Sequence, residues 1–265
     1  MYIKIKAIMS KIKGISAELT ERLNWLVCLG DLFSSYEKNK NDKFYTTIKK
    51  AEILNPWFSE QNINTSINYW QSKLKLNIIS AWISKYEMIE TPPIQVGIVM
   101  AGNFPFAGLH DLICVIISGN IALVKPSKSD KILIEYLIDY LWNKFPKSKH
   151  YIIKTEILKE FDKVIATGSN NTFRYFEYYF SKKPNILRKS RTSVAILENH
   201  TDKDSLRLLA KDIFTYFGLG CRNVSKLFIP IGFDIKKIIH GFDEFEKIKL
   251  HHKYLNNLNY YKTIK

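Results

Sequence analysis

The sequence is short of the residues that mark a disulfide-rich or metal-binding protein. Its 265 residues include three cysteines, Cys28, Cys114 and Cys221, which stand far apart and form no CxxC pair. Disulfide frameworks and cysteine-based zinc sites need more cysteines at closer spacing. The adjacent His251 and His252 have no carboxylate partner at an obvious ligand spacing, so we predict no metal site. This cysteine usage fits a reducing compartment, and we expect a cytoplasmic protein.

Signals for secretion and membrane insertion are also missing. Residues 1–15 are basic and partly apolar, but they have neither an uninterrupted apolar core nor a small-residue cleavage site. Residues 96–124 are the most apolar stretch, and a histidine, an aspartate and two asparagines interrupt them. Such side chains are costly in lipid. We therefore predict neither a signal peptide nor a membrane span.

The charge is unbalanced, with 40 lysines and arginines against 25 aspartates and glutamates and a net charge of +15. The lysines are spread along the whole chain, and no basic block recurs with interleaved aromatic residues. The joint excess of Ile, Asn, Tyr, Phe and Lys is typical of an AT-rich coding bias. We therefore expect no specific nucleic-acid partner. A nucleic-acid-binding protein is the less favoured alternative, and it predicts strongly salt-dependent binding. A basic surface would equally attract anionic cofactors or CoA esters.

Residues 1–90 have the periodicity of helices. One apolar face combines Leu19, Leu23, Leu26, Val27 and Phe33, and a second combines Ile67, Trp70, Leu74, Ile78 and Trp82. Gly30 is expected to interrupt the first face, and Pro56 suits the first turn of a new helix. Cys28 lies in an apolar helical stretch and is expected in the core.

After Thr91-Pro-Pro93 the pattern changes to alternating strands and helices. The apolar runs predict five buried strands, at residues 94–100, 121–125, 163–167, 193–197 and 224–229. Four helices are expected between these strands. The first ends at Ser118 with Gly119 as its cap, and the next two lie near residues 132–141 and 172–181. The last runs from a cap at Asp202 or Asp204 to Gly218. This order predicts an α/β fold with a doubly wound, mainly parallel sheet and helices on both faces.

Three loops that leave strand ends, and one cysteine turn, carry candidate functional residues. Asn103 follows the first strand, and Pro105 can fix the first turn of the next helix. Taken alone, Asn103 is better explained by a plain Asx turn than by a functional role. Lys125 could reach a phosphate or a ribose, or extend to solvent. Gly168 and Ser169 precede a helix, where a pyrophosphate or a simple cap fits.

Cys221 stands on a Gly-Leu-Gly turn between a helix and a strand. Little side-chain cover is expected there, and its backbone N–H can point outward beside its sulfur. That geometry suits a thiolate nucleophile with part of an oxyanion hole. The alternative is that Cys221 is a small buried hydrophobic residue. Cys114, in an apolar helix, is expected in the core.

In this order, the motifs resemble the aldehyde dehydrogenase superfamily and, within it, the acyl-CoA reductases of the LuxC type. The resemblance covers residues 55–265 and rests on Ala101-Gly-Asn-Phe-Pro105, Gly119-Asn-Ile-Ala-Leu-Val-Lys-Pro126, Thr167-Gly-Ser169 and Gly218-Leu-Gly-Cys-Arg-Asn-Val-Ser225. It implies an N-terminal helical region (1–90), a nicotinamide-cofactor-binding domain (91–187) and an incomplete catalytic domain (188–265).

The resemblance also implies roles for individual residues. Cys221 matches the nucleophile, and Asn103 matches the oxyanion-hole amide. Lys125, with Ser127 beside it, matches the lysine that holds the adenosine ribose of the cofactor. Gly168 and Ser169 match the pyrophosphate-binding turn.

Two departures from the superfamily pattern bear on the reaction. Arg188 stands where hydrolytic members carry a general-base glutamate, which disfavours water attack and suits transfer to and from CoA. Lys128 stands where many NAD-preferring members carry a glutamate, so NADPH is expected, with NADH also possible. A solvent-facing Lys128 without a role is the alternative.

The implied function is reduction of an acyl-CoA, expected to be a fatty acyl-CoA, to an aldehyde. Only 44 residues follow Cys221 (265 − 221), whereas family members continue further. One hypothesis is therefore a truncated enzyme, whose full-length form would be the oligomer. The other is an inactive remnant with a cofactor-binding or structural role.

Overall fold

The computed structural model describes residues 16–36, 42–89 and 91–264. The chain forms two compact units, of which the first ends at Lys189 and the second begins at Ser190. Residues 1–15, interpreted above as lacking a signal peptide, lie outside the described residues. The three-part division expected from the resemblance stays a prediction.

Four helices open the first unit: α1 (Ala17–Ser35), α2 (Lys43–Leu54), α3 (Glu60–Lys73) and α4 (Leu76–Ile83). The prediction that Gly30 interrupts α1 is wrong, because the helix continues through it. A Cβ at Gly30 would lie 2.8 Å from the backbone oxygen of Leu74. The glycine therefore permits close contact with the chain between α3 and α4.

The second predicted helical face is only partly correct. The chain breaks between α3 and α4, so Ile67 and Ile78 belong to different helices, and Ile78 is 42% exposed. Pro56 precedes α3 by four residues and does not occupy its first turn, because Ser59 is the N-cap. There the Ser59 side chain accepts a hydrogen bond from the backbone N–H of Asn62, which satisfies a free donor of the first turn.

Five parallel strands form the sheet of the first unit. They are β1 (Gln95–Val99), β2 (Ile121–Lys125), β3 (Ile152–Lys154), β4 (Lys163–Thr167) and β5 (Asn185–Arg188), in the spatial order β3-β2-β1-β4-β5. The chain passes from β3 on one edge to β4 beside the central β1. This change of direction creates a switch point in a doubly wound sheet. The α/β prediction is confirmed.

The helices of the sheet region are α5 (Leu109–Ile117), α6 (Lys131–Lys144) and α7 (Asn170–Phe180), with a 3₁₀ turn at Pro146–His150. The cap prediction for α5 is confirmed: Gly119 has a φ of 79° and its N–H bonds to the carbonyl of Ile116. The N–H of Asn120 bonds to the carbonyl of Val115, which completes a Schellman motif. Pro105 lies in a turn four residues before α5, so its predicted first-turn position is wrong.

One continuous core joins the N-terminal helices to the sheet. It includes Leu23 and Leu26 of α1, Ile98 of β1 and Leu137 of α6, each at most 1% exposed. The prediction that Cys28 lies in the core is confirmed, since it is fully buried. Cys114 is partly exposed, so its core prediction is wrong.

The second unit contains its own small sheet. Strands β6 (Ser193–Ile196) and β7 (Val224–Phe228) pair with each other in parallel and do not extend the sheet of the first unit. The prediction that these two strands belong to one sheet with β1, β2 and β4 is therefore wrong. The α-helices are α8 (Lys203–Phe214), α9 (Ile235–Gly241) and α10 (His252–Thr263), with 3₁₀ segments at Thr215–Gly218 and Asp243–Leu250.

The approach to Cys221 differs from the predicted helix. The α-helical part ends at Phe214, because Tyr216 and Phe217 adopt the left-handed φ values of 54° and 59°. Of the two predicted caps, Asp202 is the one observed, and its carboxylate accepts a hydrogen bond from the N–H of Ser205.

Candidate active site

The three candidate loops of the first unit follow β1, β2 and β4, in that order, and leave the sheet at the edge formed by the carboxyl ends of the strands. In the parallel registers, Val99 pairs with Lys125 and with Ala166, and Thr167 pairs with Arg188. The carboxyl ends of β1, β2, β4 and β5 are therefore level. Loops at this edge bind the ligands of open parallel sheets. The first-unit residues selected from the sequence lie here.

The first and second loops are in direct contact. A Cβ at Gly102 would lie 2.5 Å from both Cβ and Oγ of Ser127, so the two backbones approach as only glycine permits. Asn103, the next residue, is exposed at this edge. Sequence reasoning selected Asn103 and Ser127 separately and did not foresee that their loops touch.

The lysines of the second loop differ in their surroundings. The Lys125 ammonium donates a hydrogen bond of 2.7 Å to the backbone carbonyl of Glu156, just after β3. The Glu156 carboxylate pairs with Lys131, and this hydrogen bond lowers its pKa. Lys128 lies between Lys125 and Lys131 in the sequence and is exposed. Lys125 is thus held at the edge of the sheet, and Lys128 is open to an anionic ligand.

The third loop combines a cap with a tight approach to the sheet. Ser169 is the N-cap of α7, and its hydroxyl accepts the N–H of Thr172 at 3.3 Å. The N–H of Gly168 donates to the carbonyl of Arg188, and a Cβ there would lie 2.9 Å from the ring of Phe176. Ser169 therefore does form the simple helix cap that was the alternative to a pyrophosphate site. The first N–H groups of α7 and the helix dipole still favour an anion at this position.

An ion pair between the buried Asp111 and the partly exposed Arg188, at the same edge, was not found from the sequence. Nη1 of Arg188 lies 2.7 Å from both carboxylate oxygens of Asp111, in the first turn of α5. Burial of Asp111 raises its pKa, but the neighbouring His110, 3.8 Å away, and the hydrogen bonds from Arg188 outweigh this and lower it. Interactions with Asp111 and then with Cys114 raise the pKa of His110 to about 10. Arg188 stands where hydrolytic members of the superfamily carry a glutamate, and its positive charge is paired with the Asp111 carboxylate. No local pattern links residues 77 positions apart.

Cys221 lies in the second unit, on a turn closed by a 3.0 Å hydrogen bond from the N–H of Asn223 to the carbonyl of Gly220. The Asn223 side chain accepts the N–H of Gly220 at 2.7 Å and donates to the carbonyl of Asp212 at 2.9 Å. The Ser193 hydroxyl donates to the carbonyl of Cys221 at 3.1 Å. The turn is therefore well supported, while Cys221 itself is exposed. The prediction of little side-chain cover is confirmed, and the buried alternative is wrong.

Other ligand chemistries have less support. Within residues 16–36, 42–89 and 91–264, no group of three or more His, Cys, Asp or Glu side chains could hold a metal ion. His251 caps α10 through its Nδ1, which accepts the N–H of Tyr254. Among these same residues, no helix is long and apolar enough to cross a membrane.

The family model described as acyl-CoA reductase (LuxC) matches residues 78–236, which include the three candidate loops of the first unit and Cys221. The long-chain acyl-protein thioester reductase of Aliivibrio fischeri is 21% identical over an alignment of 238 residues, which covers 78% of this chain and 49% of that protein. This chain therefore spans about half the length of that relative.

Solved structures share the fold. An aldehyde dehydrogenase from Bartonella henselae superposes with a TM-score of 0.66 at 16% identity, over 93% of this chain and 55% of that one. An oxidoreductase from Marinobacter aquaeolei gives the same TM-score at 13% identity, over 91% and 54%. The aldehyde-dehydrogenase-like fold expected from the motifs is confirmed.

Proposed function

Since this chain belongs to the LuxC family of acyl-CoA reductases, we propose that it takes part in the NAD(P)H-dependent reduction of a fatty acyl-CoA to an aldehyde. The observation that carries the proposal is the shared edge of the first unit. Residues that the family resemblance assigns to the cofactor, Lys125, Ser127, Lys128, Gly168 and Ser169, all follow the carboxyl ends of parallel strands there.

These residues suit a nicotinamide dinucleotide. The N-terminus of α7 after Gly168-Ser169 fits a pyrophosphate, since its first N–H groups and dipole are directed toward anions. The ammonium of Lys125, positioned by the Glu156 carbonyl, would bind the adenosine ribose. Lys128 is exposed beside it and would accept a 2′-phosphate, which favours NADPH. When bound, the cofactor supplies the hydride.

The proposed chemistry uses Cys221 as the nucleophile. Its thiolate attacks the thioester carbonyl and forms a new C–S bond. The N–H of Cys221 stabilises the oxyanion, and the family resemblance assigns the second donor to the amide of Asn103. The C–S bond to CoA then breaks, CoA leaves as a thiol after taking up a proton, and an acyl-cysteine remains. Transfer of a hydride and a proton reduces the acyl group to a thiohemiacetal. Its C–S bond then breaks and its hydroxyl loses a proton, which releases the aldehyde and the Cys221 thiolate. Loss of one oxyanion donor typically slows such reactions by about 100- to 1000-fold.

The nucleophile is tested by incubating the chain with radiolabelled acyl-CoA and measuring protein-bound label. Cys221→Ala is expected to lose the label, whereas Cys114→Ala, which removes the other partly exposed thiol, is expected to keep it. Acylation of Cys221→Ala at the wild-type rate would contradict the assignment. A wild-type chain that binds cofactor without becoming acylated would favour the remnant hypothesis.

The cofactor preference is tested by titrating NADPH and NADH against the change in nicotinamide fluorescence. Lys128→Glu is expected to weaken NADPH binding at least about tenfold, because a carboxylate repels the 2′-phosphate and accepts ribose hydroxyls. Lys163→Glu is the matched control, since Lys163 is exposed at the opposite end of the sheet, where β4 begins. If Lys128→Glu weakens NADPH binding no more than Lys163→Glu does, or weakens NADH binding to the same extent, Lys128 does not contact the 2′-phosphate specifically.

A further inference from the structure

The backbone is left-handed over three residues just before the turn that carries Cys221. Tyr216 and Phe217 have φ values of 54° and 59°, and Gly218 follows with a φ of 72°. Glycine adopts such values readily, but a Cβ crowds the backbone there. Two bulky aromatic residues in this conformation strain the chain, and such strain persists only where the surrounding structure enforces it. Neighbouring contacts must therefore hold these residues in place.

A pair of rings packs at the strained backbone. The centroid of the Phe217 ring lies 4.3 Å from that of the His251 imidazole, with 37° between the two planes. The ring of Tyr254 lies 6.1 Å from the same Phe217 ring. His251 is itself fixed, because it is the N-cap of α10 and its Nδ1 accepts the N–H of Tyr254 at 3.3 Å. Phe217, His251 and Tyr254 thus form an aromatic clamp.

Further ring contacts join the same two segments of the chain. Phe214, the last residue of α8, packs against Phe242 and Phe245, with ring centroids 5.2 Å and 5.3 Å apart. Phe245 belongs to the 3₁₀ segment Asp243–Leu250, which leads directly into His251. The residues before and after the start of the left-handed backbone are therefore held against one short stretch of chain.

The left-handed residues lie inside a closed loop that also contains the nucleophile candidate. The Asn223 side chain donates to the carbonyl of Asp212 at 2.9 Å and so joins the two ends of the loop. Within the loop, the N–H of Leu219 donates to the carbonyl of Tyr216 at 3.1 Å, which links the left-handed residues to the cysteine turn. Because both ends are joined, a change of backbone conformation at Tyr216 has to displace the chain that follows, including Cys221.

We propose that Phe217 and His251 are positioning residues: their packed rings hold the left-handed backbone at residues 216–218, and this backbone sets the position of the Cys221 thiol. His251 lies beyond residue 236, where the family match ends, so the match assigns it no role. The inference rests on the proposed function for its effect on acylation, whereas its effect on the backbone can be measured without any reaction.

Substitutions at His251 separate its ring from its role as a cap. His251→Asn keeps a side chain that caps helices well and removes the ring, whereas His251→Phe keeps a ring and removes the cap. His252→Asn is the matched control, because His252 is the exposed neighbour. Phe217→Ala removes the other ring, and Phe217→Gly removes it while permitting a positive φ without strain. If Phe217→Ala does not fold, Phe217→Leu, which keeps apolar volume without a ring, takes its place.

The first measurement is amide hydrogen exchange of the whole chain. His251→Asn and Phe217→Ala are expected to speed exchange at Leu219 at least about tenfold, because the left-handed residues lose their support and open locally. The amide of Leu197, which bonds to a carbonyl of β7, is expected not to change. His251→Phe and His252→Asn are expected to behave like wild type. Unchanged exchange at Leu219 in either ring variant, or equal acceleration at Leu197, would overturn the proposal.

The second measurement is a double-mutant cycle on the rate of acylation by labelled acyl-CoA. His251→Asn and Phe217→Ala are each expected to slow acylation at least about tenfold, since a small misplacement of a reacting group can cost about 100-fold. The double variant is expected to be no slower than the slower single variant, because the two rings act through one contact. His251→Phe is expected to keep the wild-type rate, and Phe217→Gly to react faster than Phe217→Ala. Multiplying effects, or a wild-type rate in His251→Asn, would overturn the positioning role.

The positioning role and the proposed function fail in different ways. If Cys221→Ala is acylated as fast as wild type, Cys221 is not the nucleophile, and hydrogen exchange alone then decides whether the aromatic clamp holds the backbone. If Cys221→Ala loses the label while His251→Asn reacts like wild type, the nucleophile assignment stands and the positioning role does not.

Discussion

The two units of the chain cover their parallel strands to different extents. In the first unit, Ile98 and Val124 of neighbouring strands are fully buried beneath helices. In the second, Ile196 is 77% exposed and Val194 is 50% exposed, although both belong to a parallel strand. Parallel strands normally have both faces covered. The first unit therefore draws its stability from its own core, and the second does so to a much smaller degree.

The same contrast appears in the candidate residues. Those of the first unit are fixed by contacts over long sequence distances, such as the pair between Asp111 and Arg188. Cys221 is held mainly by local hydrogen bonds around Asn223, with one longer contact from Ser193. The difference predicts that changes to the chain will destabilise the two units unequally.

The largest expected difference concerns folding of the separated units. A fragment of residues 1–189 is expected to unfold cooperatively in urea, because it contains the continuous core and the five-stranded sheet. A fragment of residues 190–265 is expected to show no cooperative transition, since two strands and a small core rarely suffice. Far-UV circular dichroism measures both. A second fragment as cooperative as the first would break the comparison.

Truncation of one apolar side chain in each sheet gives the next largest difference. Ile98→Ala is expected to lower the free energy of unfolding by about 2–5 kcal/mol, because it leaves a cavity in the core. Val194→Ala removes a half-exposed side chain and is expected to cost no more than about 0.5 kcal/mol. Urea denaturation measures both, and similar losses would show that β6 is covered as well as β1.

Ion pairs sharpen the comparison further. Arg188→Met removes a hydrogen-bond donor from the buried Asp111 carboxylate, which keeps His110 beside it, and is expected to cost about 1–3 kcal/mol. Arg207→Met removes an exposed pair with Glu244, at 3.5 Å in the second unit, and is expected to cost less than about 1 kcal/mol. Urea denaturation at pH 7 measures both losses. Asp111→Asn serves as a control, because the half-exposed Arg188 can then reach solvent.

The Arg188 effect also has a defined pH dependence. The pKa of Asp111 is lowered in the folded state, so its contribution to stability is present above the unfolded pKa of about 3.9 and is lost as the pH falls through the folded value. The difference in the free energy of unfolding between wild type and Arg188→Met is therefore expected to become smaller at acid pH. A difference that stays constant would show that lost packing, and not charge, causes the destabilisation.

Sequence reasoning found the elements whose signals are local. The long apolar run of Ile121–Lys125 predicted β2 correctly, and Gly119 marked the end of α5 because a left-handed cap favours glycine. It missed β3 and β5, which have three and four residues and are too short for a periodic signal. Of the two apolar residues of β5, Ile186 is 52% exposed, so the strand lacks the apolar run of a buried parallel strand.

The candidate site divides in the same way. Motif order could select Asn103, Lys125 and Gly168, because each stands beside a strand that the sequence predicts. Contacts between distant residues could not be predicted, since nothing local indicates that Asp111 meets Arg188 or that Gly102 meets Ser127. The strained backbone of Phe217 has no sequence signal either, because a glycine would be the usual choice at such a φ.

The smallest expected difference concerns the helix caps of the two units. Ser169→Ala removes the cap of α7 and is expected to cost about 1 kcal/mol at every pH, because the serine is uncharged. Asp202 caps α8 as a carboxylate, and the N–H of Ser205 lowers its pKa. Its contribution is therefore present above the unfolded pKa of about 3.9 and is lost as the pH falls through the folded value. Amide exchange in the first turn of each helix, followed against pH, measures both effects, with Asp204→Ala as a control that keeps the cap. An Asp202→Ala effect that persists in acid would show that packing, and not the charged cap, stabilises the start of α8.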